Sequence, residues 1–114
     1  MLNVFLTVDV EVWCDGWNDL DQNFQNAFES YIYGRTNRGD FGLPFQLDVL
    51  NEYELKAVFF VEPLFATRFG IEPLQKIVEM IQSKGHEVQL HMHPEWVDEA
   101  NEPIIQNSTV KRQY

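Results

Sequence analysis

Three hydrophobic runs along the chain predict the β-strands of a parallel sheet. The first run contains Leu2, Val4, Phe5, Leu6, Val8 and Val10. Because apolar residues fill almost every position of this run, we expect the strand to be covered on both faces. The second run is residues 56–61, which Pro63 follows, and the third is residues 86–93, which ends at Pro94.

Apolar residues at helical spacing separate these strands. The first helical stretch has apolar residues at Leu20, Phe24, Ala27, Phe28 and Tyr31. Their intervals of three and four predict a helix over about residues 19–32. Two further patterns predict helices over about residues 44–51 and 73–84, each opened by a proline. Three glycines and two arginines make residues 34–42 a predicted loop.

The alternation of strands and helices predicts an α/β fold in which right-handed crossovers join parallel strands. After Pro94 the pattern ends, and residues 97–114 form a polar tail without a clear strand or helix. Three strands make a narrow sheet with exposed edges, so we expect further chain or a partner to cover them. We therefore predict that residues 1–114 are the N-terminal part of a single α/β domain.

The chain is strongly acidic. Lys and Arg number 8 against 18 Asp and Glu, so the formal charge is 8 − 18 = −10. Such a charge repels phosphate backbones, which disfavours a nucleic-acid partner and favours a neutral or amino-containing ligand. The single cysteine, Cys14, allows no internal disulfide. Residues 1–12 lack the basic start of a signal peptide and reach acids too early for a membrane span, so we predict a cytoplasmic location and no membrane partner.

Two carboxylates stand at the end of the first predicted strand. Asp9 and Glu11 are two residues apart and therefore point to the same face. The active sites of open α/β sheets and of barrels lie at the carboxyl ends of the strands. Two acids placed there repel each other unless they share a cation or a hydrogen-bond donor. The alternative is that both are solvated acids of a loop.

Two histidines stand at the corresponding end of the third predicted strand. His91 and His93 are separated by one residue, so both imidazoles face one way and can bind one metal ion. The alternative is a surface pair that is hydrogen-bonded to carbonyl groups. Because the carboxyl ends of parallel strands share one rim, we expect both histidines to converge with Asp9 and Glu11. His86 begins the strand at the opposite rim and is expected to pack rather than to bind a metal.

Aromatic residues flank both polar motifs. Trp13 and Trp96 are predicted to bind substrate by stacking on a sugar ring, and Trp17 follows Trp13 closely in the chain. The alternative for each is a core position, the more frequent place of tryptophan. Cys14 is either a soft metal ligand or, as for most buried thiols, an inert packing residue.

Three motifs of the chain stand in the same order as in a known family. They are Thr-Val-Asp-Val-Glu at residues 7–11, Lys-Ala-Val-Phe-Phe-Val at residues 56–61 and Gly-His-Glu-Val at residues 85–88. They resemble the Thr-Phe-Asp-Asp, Lys-Ala-Thr-Phe-Phe-Val and Gly-His-Glu-Ile motifs of the polysaccharide deacetylases, the NodB-homology or carbohydrate esterase family 4 group. The resemblance covers residues 2 to about 96. It implies a partial (β/α) barrel of the polysaccharide deacetylase type that is truncated after its first strands.

The resemblance also implies roles for the rim residues. Asp9 corresponds to the general base, Glu11 replaces a second aspartate as a metal ligand, and His91 is a further ligand. The family's second histidine ligand stands four residues after the first, which is Glu95 here, so His93 is favoured as the ligand and Glu95 is its rival. The implied cofactor is a divalent metal ion, most often zinc. The implied reaction removes acetyl groups from N-acetylated sugars or polysaccharide.

Departures from the family leave two other functions open. The family's later arginine, aspartate and histidine motifs have no counterpart after Pro94, so the chain alone can be an inactive fragment that only binds metal or carbohydrate. A metal hydrolase of the amidohydrolase kind also uses His-X-His at a strand end, although on its first barrel strand. We expect a C-terminal half of the domain, or an oligomeric partner, to be needed for activity.

Overall fold

Helices alternate with parallel strands in the computed structural model, which describes residues 1–14 and 16–97. In chain order the elements are β1 (Leu6–Val10), α1 (Leu20–Phe28), a π-helical turn (Glu29–Tyr33), β2 (Arg35–Thr36), β3 (Gly39–Asp40), α2 (Leu43–Glu52), β4 (Ala57–Val61), α3 (Ala66–Phe69), α4 (Ile71–Ser83) and β5 (Glu87–Leu90). The predicted α/β fold with a parallel sheet is therefore confirmed. The predicted polar tail lies outside the described residues except for Val97.

The sheet contains β1, β4 and β5, and β4 is its central strand. Both pairings are parallel: Val10 of β1 lies opposite Val61 of β4, which in turn lies opposite Leu90 of β5. The order of the strands in space follows their order in the chain. Right-handed crossovers therefore place the connecting helices on the same face of the sheet.

Burial alternates along β4, as expected for a strand with one face under helices. Ala57, Phe59 and Val61 are buried, whereas Val58 and Phe60 are half-buried. The buried face joins the helices in a core that also contains Leu20, Phe24, Phe28, Ile32, Leu43, Leu47, Phe65, Ile77 and Ile81. Among the described residues, none of the helices is long and apolar enough to cross a membrane.

The first strand is shorter and more exposed than its apolar sequence predicts. Pairing with β4 begins only at Leu6, opposite Ala57, and the side chains of Leu2, Val4 and Phe5 are largely exposed. The prediction of a strand covered on both faces is therefore wrong for the described residues. The physical reason is that β1 is an edge strand and the crossover helices cover only one face of the sheet.

Other differences from the sequence predictions are local. The predicted loop at residues 34–42 contains the hairpin of β2 and β3, where Oγ1 of Thr36 accepts the backbone N–H of Arg38 at 3.1 Å. The third strand ends at Leu90, so both candidate histidines lie just beyond it. The helix α3 is one turn long and has too few residues to show a helical repeat.

His86 is buried at the amino end of β5 and connects three elements. Its Nδ1 accepts the backbone N–H of Ala57 at 3.1 Å, and its Nε2 lies 2.9 Å from Oδ1 of Asn51. Because Nδ1 accepts, the ring proton is on Nε2 and is donated to Asn51. Burial, with the nearby Lys56 charge, lowers the pKa of His86 and favours the neutral ring. The expected packing role is confirmed.

We expect the His86→Ala variant to lose about 1–3 kcal/mol of unfolding free energy, because the Ala57 N–H loses its buried acceptor. The lowered pKa also makes wild-type stability depend on pH. The unfolded chain takes up a proton near the ordinary pKa of 6.5, whereas the folded chain takes it up only at lower pH. The contribution of His86 should therefore be complete above that value and decrease as the pH falls below it.

Urea unfolding followed by circular dichroism, at about pH 7.5 and about pH 5.5, measures both effects. The wild type should lose more stability than His86→Ala between these two conditions, since the variant lacks the buried ring. An equal loss in the two proteins would contradict the role given to His86.

Candidate metal site

Glu11, His91 and His93 meet at the carboxyl end of the sheet. Glu11 follows β1 by one residue and His91 follows β5 by one residue, so the parallel strands bring both to the same rim. The backbone N–H of His91 donates to the carbonyl oxygen of Val61 at 3.0 Å, which extends the pairing of β5 with β4. This pairing fixes His91 on one side of β4 while Glu11 lies on the other.

The three side chains direct their ligand atoms at one another. Oε1 of Glu11 lies 2.7 Å from Nε2 of His91 and 2.8 Å from Nε2 of His93, and the two nitrogens are 3.1 Å apart. In a tetrahedral zinc site with bonds of ~2.0–2.1 Å, two ligand atoms lie about 3.3 Å apart. The observed separations are slightly shorter, so a small outward movement of each side chain would make room for one ion.

The chemistry of this donor set fits a divalent metal ion. Two imidazole nitrogens and one carboxylate form the kind of three-ligand set that binds zinc and leaves a fourth position open. Burial acts to raise the pKa of Glu11, but hydrogen bonds with Trp13, His93 and His91 lower it, and on balance the pKa lies below its ordinary value. The carboxyl group is therefore ionised at neutral pH, as a metal ligand must be.

Glu95, the rival ligand, does not join the three converging atoms. Its Oε2 lies 3.8 Å from Nδ1 of His93, which is the ring nitrogen not directed at Glu11. This distance is too long for a hydrogen bond. Glu95 therefore lies beside His93 but outside the three converging ligand atoms.

Asp9 lies beside the cluster and remains open to solvent. Its Oδ2 is 3.7 Å from Nε2 of His91, and its side chain is 59% exposed. A cleft of about 290 Å³ opens at this point, lined by Val8, Asp9, Val10, Glu11, Trp13, Tyr31, Leu43 and Gln46. A water molecule or small ligand in the cleft can contact Asp9 and Glu11 together.

Trp13 contacts the candidate site directly. Its indole Nε1–H donates to Oε2 of Glu11 at 2.7 Å, while Oε1 of the same carboxylate faces the two histidines. The indole also packs edge-on against the ring of His93, with centroids 4.9 Å apart. The hydrogen bond therefore determines which oxygen of Glu11 is turned towards the histidines. Because Trp13 also lines the cleft, contact with a sugar stays a prediction.

Trp96 is unavailable to a substrate. Its side chain is fully buried and packs against Trp17 at a centroid distance of 5.0 Å and against Phe65 at 6.2 Å. The prediction that Trp96 stacks on a sugar is therefore wrong, and its alternative core position is correct. The backbone turn from His93 to Trp96, closed by an N–H···O bond of 3.1 Å, brings this large apolar ring into the core. Cys14 is also a buried core residue.

Glu62 is a buried acid that the sequence analysis did not single out. It follows β4 directly, on the same rim as Glu11 and His91, and its side chain is fully buried. Burial raises the pKa of Glu62, although hydrogen bonds from backbone N–H groups act in the opposite direction. One feature of the sequence could have identified Glu62 as a rim residue. It comes directly after a predicted buried strand, as Glu11 comes directly after β1.

Comparisons with known proteins do not assign the chain to a family or a function. No model of a protein family, no curated protein and no solved structure matches the chain. The rim residues and the sequence motifs therefore carry the functional conclusion.

Replacing Trp13 by Phe should weaken zinc binding by about 10–100-fold, because Glu11 loses the donor that orients it while the site keeps an aromatic ring. Competition with a chromophoric chelator measures this affinity. Trp17→Phe is the matched control, since Trp17 packs against Trp13 with centroids 5.9 Å apart. Equal zinc affinities of the two variants would contradict the orienting role of the Trp13 N–H.

Proposed function

We propose that this chain is the N-terminal part of a metal-dependent hydrolase of the polysaccharide deacetylase kind, which removes acetyl groups from N-acetylated sugars. The observation that carries the proposal is the convergence of Glu11, His91 and His93 within hydrogen-bonding distance at the carboxyl rim. The order of the three sequence motifs supports the same function. Zinc is the first candidate for the ion, given two imidazoles and one carboxylate.

The proposed roles follow from the position of each side chain. Glu11, His91 and His93 would hold the ion, with one carboxylate and two imidazoles as the ligand groups. A bound divalent ion supplies Lewis-acid chemistry, which lowers the pKa of a water molecule towards ~7 and polarises the acyl carbonyl. Asp9, exposed on the cleft and 3.7 Å from His91, is in a position to accept the proton of the attacking water.

The overall reaction consumes one water molecule. Its oxygen forms a bond to the acyl carbon, the carbon–nitrogen bond breaks, and acetate and a free amine are the products. The amine must take up a proton, and the chain has one other histidine, His86, which lies at the opposite rim. We infer that the general acid comes from a C-terminal half of the domain or from a partner subunit.

A partial (β/α) barrel is the finer fold that we propose. The order of strands in the sheet follows the order in the chain, as it does in a barrel. The half-buried Val58 and Phe60 would then face the barrel interior. The free edges of β1 and β5 would pair with further strands, which would also cover the unpaired backbone groups.

An acetylated, uncharged carbohydrate suits the cleft beside Asp9. Tyr31, Gln46 and Trp13 line the cleft, and residues of these types can offer hydrogen bonds and an aromatic surface to a sugar. The formal charge of −10 opposes the approach of nucleic acid or another anionic polymer. With Cys14 as the only cysteine, a cytoplasmic location remains part of the proposal.

A metal- or carbohydrate-binding module without turnover is the second candidate. The absence of a further histidine that could act as general acid favours it for this chain alone. A hydrolase of the amidohydrolase kind is less favoured, because His91 and His93 follow the third strand of the sheet instead of the first. Release of acetate separates the deacetylase from the binding module, since only the enzyme breaks a bond.

The purified chain should contain close to one equivalent of zinc or another divalent ion, measured by inductively coupled plasma mass spectrometry. The double variant Glu11→Ala, His91→Ala should lose it, because two of the three ligands are removed. Glu72→Ala is a suitable control, since Glu72 is an exposed acid of α4 whose ion pair is with Lys76. Equal metal contents in the double variant and the wild type would contradict the ligand assignment.

The Asp9→Asn variant should keep its metal and lose turnover. In a preparation that releases acetate from an N-acetylated sugar, we expect the rate to fall by about 10²–10⁴-fold, because the amide cannot accept the proton. Acetate is measured with a coupled enzymatic assay, and metal content is measured in parallel. An undiminished rate would exclude Asp9 as the base, whereas lost metal would make Asp9 a ligand.

A further inference from the structure

Glu62 has a fully buried carboxyl group at the rim, and both of its oxygens accept hydrogen bonds from backbone N–H groups. Oε1 accepts the N–H of Leu64 at 2.9 Å and that of His93 at 3.4 Å, and Oε2 accepts the N–H of Phe65 at 3.3 Å. A buried polar group without such partners would be unfavourable. Two of these donors belong to the turn that precedes α3, and the third belongs to a candidate metal ligand.

The sheet itself offers no acceptor for the His93 N–H. In the parallel ladder the N–H of His91 donates to the carbonyl oxygen of Val61, so His93 would next donate to that of Pro63. The Pro63 oxygen instead accepts the N–H of Ala66 at 3.1 Å, because the chain turns towards α3 at this point. The Glu62 carboxyl group therefore accepts the His93 N–H in place of the Pro63 carbonyl oxygen.

Glu62 also contacts the segment that carries the other side of the cluster. Its own backbone N–H donates to the carbonyl oxygen of Val10 at 2.9 Å, one residue before Glu11. The same residue is thus bonded through its backbone to the end of β1 and through its carboxylate to the backbone of His93.

We propose that Glu62 is a positioning residue of the metal site, which holds the backbone of His93 so that its Nε2 meets Glu11 and His91. This inference rests on the proposed metal-binding function. Glu62 itself is not a ligand, since the converging atoms come from Glu11, His91 and His93. Outer partners of this kind fix the orientation of the ligands and change the affinity for the ion.

The test compares Glu62→Ala with the conservative variant Glu62→Gln. The Gln side chain can keep its oxygen at the Leu64 and His93 N–H groups and lose only the bond to Phe65, whereas Ala loses all three. We expect Glu62→Ala to bind zinc about 10–100-fold more weakly and to show a shifted visible absorption spectrum with Co²⁺. Glu62→Gln should restore the wild-type spectrum.

A merely structural role would not change the Co²⁺ spectrum of the folded protein. Ile81→Val is the control for lost stability. Ile81 is a buried residue of α4, and none of the described hydrogen bonds joins it to Glu11, Glu62, His91 or His93. Its spectrum should equal that of the wild type. If Glu62→Ala does not fold, Glu62→Asp takes its place, since the shorter carboxylate cannot reach all three donors and should also shift the spectrum.

Two results would overturn the inference. One is a folded Glu62→Ala or Glu62→Asp protein with wild-type zinc affinity and a wild-type Co²⁺ spectrum, which would make Glu62 only a cap of the turn before α3. The other is a shifted spectrum in Ile81→Val, which would make the site sensitive to any loss of stability. A wild-type chain that binds neither Zn²⁺ nor Co²⁺ would refute the proposed function itself, so the two failures are distinguishable.

Discussion

The parallel pairing of β4 with a strand on each side is the constraint on which the rest of the molecule depends. Because all three strands run in one direction, the residues that follow them meet at a single rim. Glu11 and His91 are 80 residues apart in the chain, yet their side chains approach to 2.7 Å. A change of register by one residue would turn each of them to the opposite face.

The rim brings several polar groups together in buried or partly buried positions, and Glu11 and Glu62 both have hydrogen-bond partners there. Glu11 divides its two oxygens between an indole N–H and two imidazoles, and Glu62 divides its own between backbone donors. Satisfied buried networks of this kind select one arrangement of side chains. The same contacts that hold the cluster together leave Asp9 free on the cleft.

Apolar runs and helical spacing in the sequence predicted the positions of the main helices and strands, because these elements supply the apolar residues of the core. The alternation of strands and helices predicted parallel strands, and the parallel direction in turn predicted that Glu11 and His91 meet at one rim. The contacts of Glu62 could not be read in the same way, since its partners are backbone N–H groups whose positions depend on the turn after β4.

Tertiary packing explains the remaining differences between the sequence predictions and the structure. Trp96 is buried because Phe65 and Trp17 surround it, and no local pattern in the sequence distinguishes that position from an exposed one. Likewise, the apolar residues Leu2 and Val4 predict a strand, but pairing with β4 begins only at Leu6. Their exposure follows from the narrow sheet, not from their own propensity.

The indole of Trp13 is a fluorophore that lies beside the cluster of Glu11, His91 and His93. Its N–H is bonded to the Glu11 carboxylate and its ring touches His93, so a charge arriving between them changes the electric field around the chromophore. Trp17 and Trp96 are close enough to Trp13 for excitation energy to pass among the three rings. If the rim binds an ion as proposed, intrinsic fluorescence would report its binding without an added label.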